Sequence, residues 1–224
     1  TAIIIVVNNL SDSPEDVKKD NQMLLGFLRM VISRKAFDDE LASEIVNSNL
    51  NVCLIDASST GLEMPKKTGG VGLARKIGMD EALKIFNYDS PSKKTLICLD
   101  ADCTIDPNYL TTIVDSFHSR NLFAAVVNFR HDIDNDSPTT SAITCYEIFL
   151  HYYVLGLKYA NSPFAFHTIG STMICTHESY IKVEGMNKQK AADDFYFLEK
   201  LAKNYKIEKI NSTTVYPSAR SSWR

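Results

Sequence analysis

The chain has 224 residues, 45% hydrophobic and 23% charged, with a formal net charge of −3. That is enough apolar material for one large domain or two small ones with a sizeable core. It excludes a broad basic face for nucleic acid, and no apolar run approaches the roughly 18 residues of a transmembrane helix.

Residues 2–7, AIIIVV, form a continuous β-branched run that predicts a buried, parallel strand, with Asn8-Asn9 at its carboxyl end. A polar stretch, SDSPEDVKKDN, leads into a predicted helix over 21–37 with Leu24, Leu25, Leu28, Val31 and Ile32 on one face. A second helix is expected over 39–47. The next strand, NVCLI at 51–55, ends at Asp56 and the polar run ASSTG. A Gly-rich turn and the helix GGVGLARKIGMDEALKIF follow. Residues 96–99 read as a short, fully buried strand, and 123–129, FAAVVNF, as another. This alternation argues a layered α/β domain with a largely parallel sheet. The second half differs. Residues 141–159 predict a helix carrying Tyr146, Phe149, Tyr152, Tyr153 and Tyr159, either core-facing or a platform for a sugar or lipid acceptor. A short strand at 171–176, a short helix at 178–183, a helix at 193–205 striped with Phe197, Leu198 and Leu201, and brief strands at 206–210 and 213–216 complete the pattern.

The chemistry centres on LICLDADCTIDPNYL, residues 96–110. Its strand delivers Asp100 and Asp102 to the place where open α/β sheets bind ligands, beyond the carboxyl ends of the strands. Two carboxylates there suit a hard divalent cation that also holds phosphate oxygens. Asp106-Pro107 then reads as N-cap and first turn of a helix over 107–118. Spacing alone does not single out this pair, because Asp132/Asp134 and Asp134/Asp136 repeat it within HDIDNDSPTT. That run lacks the Gly and the final Glu of an EF-hand loop and reads as a solvated loop. The five cysteines, Cys53, Cys98, Cys103, Cys145 and Cys175, form no CxxC pair. Three of them lie in apolar runs and read as buried free thiols of a reducing compartment. There is no GxxxxGK, GxSxG or HExxH. Gly70-Val71-Gly72 lacks the third small residue of a dinucleotide fingerprint. His167 and His177 read as structural or surface residues.

Taken in order, these pieces resemble a family 2 glycosyltransferase with the GT-A fold. AIIIVVNN is similar to the family's opening strand, with Asn9 kept. LIDASSTG resembles the second strand and its acidic end, matching at Asp56, Ser59 and Thr60 but with Ala57 and Gly61 in place of acids. GLARKIGMDEAL matches the following helix at Arg75 and Gly78, with Lys76 for Asn. LICLDADCTIDPNYL matches the metal-binding segment, and Gly185-Met186 followed by DDFYFLEKL resembles the catalytic helix, with Asp193 for Glu and Lys200 for Arg.

The resemblance implies an inverting, metal-dependent transfer from a UDP- or GDP-sugar to a saccharide or lipid-linked acceptor. Asp56 is then the acceptor for the donor's base N–H, Arg75 a planar fork for a base carbonyl or phosphate, and Asn9 part of the donor site. Asp102 is the expected direct ligand of Mn²⁺ or Mg²⁺, with Asp100 on the ribose or reaching the metal through water. Asp194 matches the general base, Asp193 is its neighbouring candidate, and both also suit a helix-capping role. Arg220, near Trp223 and Arg224, reads equally as a cover for the diphosphate or as a solvated tail. The donor half is expected over 1–102 and the acceptor half over 103–224. A chain that starts directly before a strand and stops at Arg224 without a terminating element reads as cut from something longer. The expected location is cytoplasmic, or peripheral at a membrane. Two other classes stay open: a nucleotidyltransferase that makes nucleotide-sugars, against which the loop Asn8-Asn9-Leu10-Ser11 argues, and a catalytically degenerate sugar-nucleotide-binding module.

Overall fold

Strand and helix alternate along the chain in the mixed α/β, Rossmann-like manner expected. A computed structural model describes residues 1–35, 40–132, 139–188 and 192–219. Arg220, Trp223, Arg224, Asp134 and Asp136 therefore lie outside the described residues. The chain divides into two compact units, Thr1–Phe86 with Met186–Asp193, and Asn87–Gly185 with Asp194–Arg224.

In the first unit, β1 (Ala2–Asn8) and β2 (Asn51–Ala57) pair in parallel, Ala2 opposite Asn51 through to Asn8 opposite Ala57. The strand is less buried than its β-branched run predicts: Val7 is in the core, whereas Ile3 is 42% exposed. Helix α1 spans Glu15–Ile32, beginning earlier than the sequence suggested. Pro14 stands at the N-cap, and Glu15 and Asp16 occupy the first turn, where the positive end of the helix dipole favours acids. Its buried face is Leu25, Leu28 and Val31; Leu25 and Leu28 pack in a cluster with Val7, Ile5 and Leu54, while Leu24 and Ile32 face outward. Helix α2 covers Glu40–Asn47 and α3 covers Val71–Ile85. Gly69 lies in the tight turn before α3; a β-carbon there would sit 2.4 Å from Leu10 Cδ2 and 2.8 Å from the Pro65 carbonyl. Gly78 lets α3 approach β1, because its β-carbon would meet Val6 Cγ2 at 3.3 Å.

The second unit is built on a five-stranded sheet. Its strands are β3 (Thr95–Ile97), β4 (Cys103–Ile105), β5 (Ala124–Phe129), β6 (Met173–Thr176) and β7 (Ile207–Pro217), in the order β3-β6-β5-β7-β4. The pairing is mixed: β5 runs parallel to β7, and the remaining pairs are antiparallel. Strand β5 sits in the middle, where Ala124, Ala125, Val126 and Val127 are all buried, as a continuously apolar strand must be. The two brief strands expected near the carboxyl end are one. Strand β7 stays continuous through an irregularity that takes its partner from Ile210, opposite Val127, to Thr214, opposite Asn128. Helix α4 (Tyr109–Ser119) presses Tyr109, Ile113 and Phe117 onto β5 and β7 residues Ala125, Val127, Ile210 and Val215. Helices α5 (Thr140–Tyr159), α6 (His177–Lys182) and α7 (Asp193–Ala202) complete the described elements. The stripe Phe197, Leu198 and Leu201 of α7 is fully buried. Lys200 Nζ donates to the Val183 and Gly185 carbonyls at 3.0 and 2.6 Å, placing a cation at the carboxyl end of α6.

Two expectations are corrected. The aromatic helix α5 does not face the core: Val154 is its buried residue, while Phe149, Tyr152 and Tyr159 are largely exposed. Nor does Asp106 cap α4. Asn108 takes the N-cap position, without a side-chain bond, and residues 103–105 form β4 in place of a direct turn into helix. The Asp106 carboxylate instead accepts the Thr214 amide at 2.7 Å and the Tyr216 hydroxyl at 2.9 Å, stitching the β4–α4 junction to β7. An Asp106→Asn protein tests this. A cap tolerates Asn, but Asn replaces one of the two acceptor oxygens with an NH2 donor and leaves one of the two partners without an acceptor, so urea denaturation is expected to show a loss of about 1–3 kcal/mol. Unchanged stability would restore the capping role.

Candidate functional site

The candidate residues fall in both units. In the first, Asp56 ends β2 and folds back on the turn after it. Its Oδ1 accepts the amides of Ser58 and Ser59 at 3.1 and 2.9 Å, and its Oδ2 accepts the Ser59 hydroxyl at 2.6 Å and Arg29 Nη2 at 3.1 Å. Burial pushes the Asp56 carboxyl up, but the hydrogen bonds from Ser59 and Ser58 outweigh it and hold the group below its ordinary value. The carboxylate is thus kept charged in place. Asn9 is buried at the matching end of β1. Its Oδ1 accepts from Asn21 Nδ2 at 3.0 Å, its own Nδ2 donates to the Leu10 carbonyl, and its backbone carbonyl accepts the Met64 amide at 2.9 Å. Arg29 and Asn21, both on α1, are partners that sequence reasoning missed. Both lie within the predicted helix, and no local signal links them to the strand ends they bond.

Arg75, on the first turns of α3, donates from Nη1 to Asp193 Oδ2 at 2.7 Å. Both side chains are buried, at 11% and 4% exposure. Of the two candidate bases, Asp193 is therefore the one committed to a buried ion pair. Such a pair returns its desolvation cost when both charges stay matched and becomes a liability when one is removed.

In the second unit, β3 hands over to the acidic segment without changing neighbours: the Cys98 amide donates to the Met173 carbonyl at 3.0 Å. The chain then turns, and the Cys103 amide donates to the Asp100 carbonyl at 3.1 Å. Asp100 and Asp102 thus stand on a turn between β3 and β4, Asp100 half-buried and Asp102 exposed. Burial pushes the adjacent Cys103 thiol above its ordinary value. Among the described residues no group of three or more His, Cys, Asp or Glu side chains could hold a metal ion. Two accessible carboxylates with oxygen donors alone fit a Mg²⁺ or Mn²⁺ that completes its shell with phosphate oxygens and water, as these ions commonly do.

Asp194 follows on the first turn of α7. It is half-buried, and its Oδ1 accepts the Phe195 amide at 2.8 Å. Burial, and after it the Asp194 charge, raise the Tyr146 phenol above its ordinary value. The sequence flagged Tyr146 as one aromatic among several, with nothing to link it to residue 194. All five cysteines are free, with Cys98 and Cys175 buried and Cys53 half-buried. His167 is buried and structural, stacked edge-on to Phe129 and His151, and burial lowers it to about 4.

No protein-family model matches the chain, and no curated protein matches it by sequence. The crystal structure of S. aureus TarS 1–349, a glycosyltransferase, resembles it with a TM-score of 0.52 at 12% identity. The likeness covers 97% of this chain and 60% of that one. This chain therefore spans about 60% of the length of the structure it matches, and it has a glycosyltransferase-like α/β fold.

The ion pair makes a testable demand. Asp193→Ala or Arg75→Ala alone is expected to cost about 3–5 kcal/mol in urea denaturation, because each leaves a buried charge unmatched. The double variant Arg75→Met/Asp193→Leu is expected to cost much less than the sum. Additive losses would mean that the two side chains are not coupled.

Proposed function

We propose that this chain is a family 2 glycosyltransferase of the GT-A type, moving a sugar from a nucleoside-diphosphate sugar to a hydroxyl acceptor with inversion. The observation that carries the reading is the division of labour between adjacent carboxylates on a glycosyltransferase-like fold. Asp193 is buried against Arg75, and Asp194 stands beside it on the first turn of α7, where solvent reaches it. That contrast favours Asp194 as the base.

In this scheme the acceptor oxygen attacks the anomeric carbon as the bond from that carbon to the diphosphate breaks. The acceptor's proton passes to Asp194, and the electron pair of the broken bond leaves with the nucleoside diphosphate. Asp102, with Asp100, would hold Mn²⁺ or Mg²⁺, which supplies charge stabilisation for the departing diphosphate. Asp56 and Asn9 belong to the donor side. For Asp56 to accept a base N–H, a Ser59 or Ser58 hydroxyl rotates away from it. Arg75 is placed on the donor side as the residue that would meet a base carbonyl or phosphate, and to do so it would have to share its guanidinium with Asp193. Arg220 belongs to the proposal as a residue that would cover the diphosphate.

The dense set of donors already on Asp56 favours a second reading, a sugar-nucleotide-binding module that no longer turns over. Calorimetry and donor consumption separate the two. UDP or GDP binding is expected to need Mn²⁺ or Mg²⁺ and to be abolished by chelator. Asp102→Asn is expected to remove that dependence, and Asp56→Ala to weaken nucleotide affinity by about 1–3 kcal/mol. Binding indifferent to metal and to both substitutions would reject the donor site. Metal-dependent binding without consumption of any nucleotide-sugar would leave the binding module.

A further inference from the structure

Within the second unit α5 and α7 frame a recess that none of the foregoing roles uses. Its walls carry four aromatic rings, Tyr153 from α5, Phe164 and Phe166 from the segment after α5, and Phe195 from α7. Leu157 and three polar side chains, Ser162, Thr168 and Glu199, complete the lining. We propose that this recess is the acceptor subsite and that it takes a pyranose ring, stacked by one C–H face on Tyr153 and Phe195 and bound at its hydroxyl edge by Glu199, Ser162 and Thr168. The inference rests on the glycosyl-transfer reading for its chemistry and adds the class and place of the acceptor.

Size is the first argument. The recess encloses about 140 Å³, well below the roughly 300–1,000 Å³ of sites for drug-sized ligands. A single ring fits; a nucleoside diphosphate does not. Composition is the second. A pyranose has an apolar C–H face and a rim of hydroxyls, and its C–H groups carry the partial positive charge that an aromatic face attracts. Largely aromatic walls with a few placed polar groups match both halves. The polar groups have capacity to serve. Ser162 Oγ accepts the Phe164 amide at 3.2 Å, which leaves its hydrogen to donate. Glu199 pairs with Lys203 through Oε1 at 2.8 Å, and a carboxylate has further lone pairs to accept from sugar hydroxyls. An alkyl chain would leave these groups unmatched.

Position is the third argument. Tyr153 and Leu157, four residues apart, lie on one face of α5 and both line the recess. On α7, Asp194 is followed at once by Phe195 and one turn later by Glu199, both of which line the recess. Phe195 therefore sets one wall of the recess directly after the carboxylate proposed as base. The exposure of Tyr153 and Phe195, 48% and 39%, suits residues kept at the surface to meet a ligand.

Saturation-transfer NMR with methyl β-D-glucopyranoside, methyl α-D-mannopyranoside and methyl N-acetyl-β-D-glucosaminide tests the subsite without donor or turnover. Geranyl phosphate serves as the lipid probe. At least one glycoside is expected to receive saturation on its ring C–H protons. Tyr153→Ala and Phe195→Ala are each expected to weaken it by about tenfold, the scale of losing one aromatic contact, with the melting temperature unchanged because both rings are half-exposed. No glycoside binding, glycoside binding indifferent to both substitutions, or Tyr153-dependent binding of geranyl phosphate alone would each overturn the proposal. Metal-dependent UDP binding, measured in parallel, separates the two readings. If UDP binds and the glycosides do not, the subsite falls; if the glycosides bind as expected and UDP does not, the donor reading falls and the subsite stands.

Discussion

The buried pair between Arg75 and Asp193 is the constraint on which the candidate chemistry depends. Two charges taken out of water are tolerated only when each satisfies the other, so α3 and the residue from which α7 runs are held in one geometry at 2.7 Å. Ala192, just before that residue, sits at a φ of 55°. A residue with a β-carbon reaches this left-handed region at a cost of about 1–2 kcal/mol, which surrounding contacts must offset. The ion pair at the next residue, Asp193, is such a contact. Asp194, the following residue, is half-buried. The two neighbouring acids thus have different environments, and the proposal gives the chemistry to the second.

The second unit achieves the same rigidity by hydrogen bonding. Strand β5 is buried throughout its central run and supports β6 on one side and β7 on the other. The acidic turn between β3 and β4 is anchored at both ends, by Cys98 on Met173 and by β4 pairing with β7. Asp106 secures that second anchor with two bonds to β7. Asp100 and Asp102 therefore stand on a short turn between fixed strands, the arrangement that a positioned pair of ligands requires.

How much of this was legible in the sequence depends on the range of the interaction. A continuous apolar run placed β5, a Gly-rich turn marked the start of α3, and apolar spacing placed the α7 stripe of Phe197, Leu198 and Leu201. The start of α1 was missed because SDSPEDVKKDN was read for polarity and not for its Pro-Glu-Asp start. Asp106 was read locally, and a local reading favours a cap; its real partners, Thr214 and Tyr216, lie more than a hundred residues away. Helix α5 misled for the opposite reason, because a run of aromatics signals a core only if a partner element covers it. Pairing of Arg75 with Asp193, 118 residues apart, has no local signature. The motif resemblance named both residues but gave them separate tasks.

The central claim is that Asp193 and Asp194 differ in kind. Asp194→Asn and Asp193→Asn proteins, compared side by side for nucleotide-sugar turnover and for melting temperature, test it most directly. The account predicts that Asp194→Asn loses about 10²–10⁴-fold in turnover, the usual contribution of a general base, and melts like the unsubstituted protein, since Asn serves a helix start almost as well as Asp. It predicts that Asp193→Asn melts markedly lower. Near-normal turnover in Asp194→Asn, or a selective loss of turnover without loss of stability in Asp193→Asn, would contradict it.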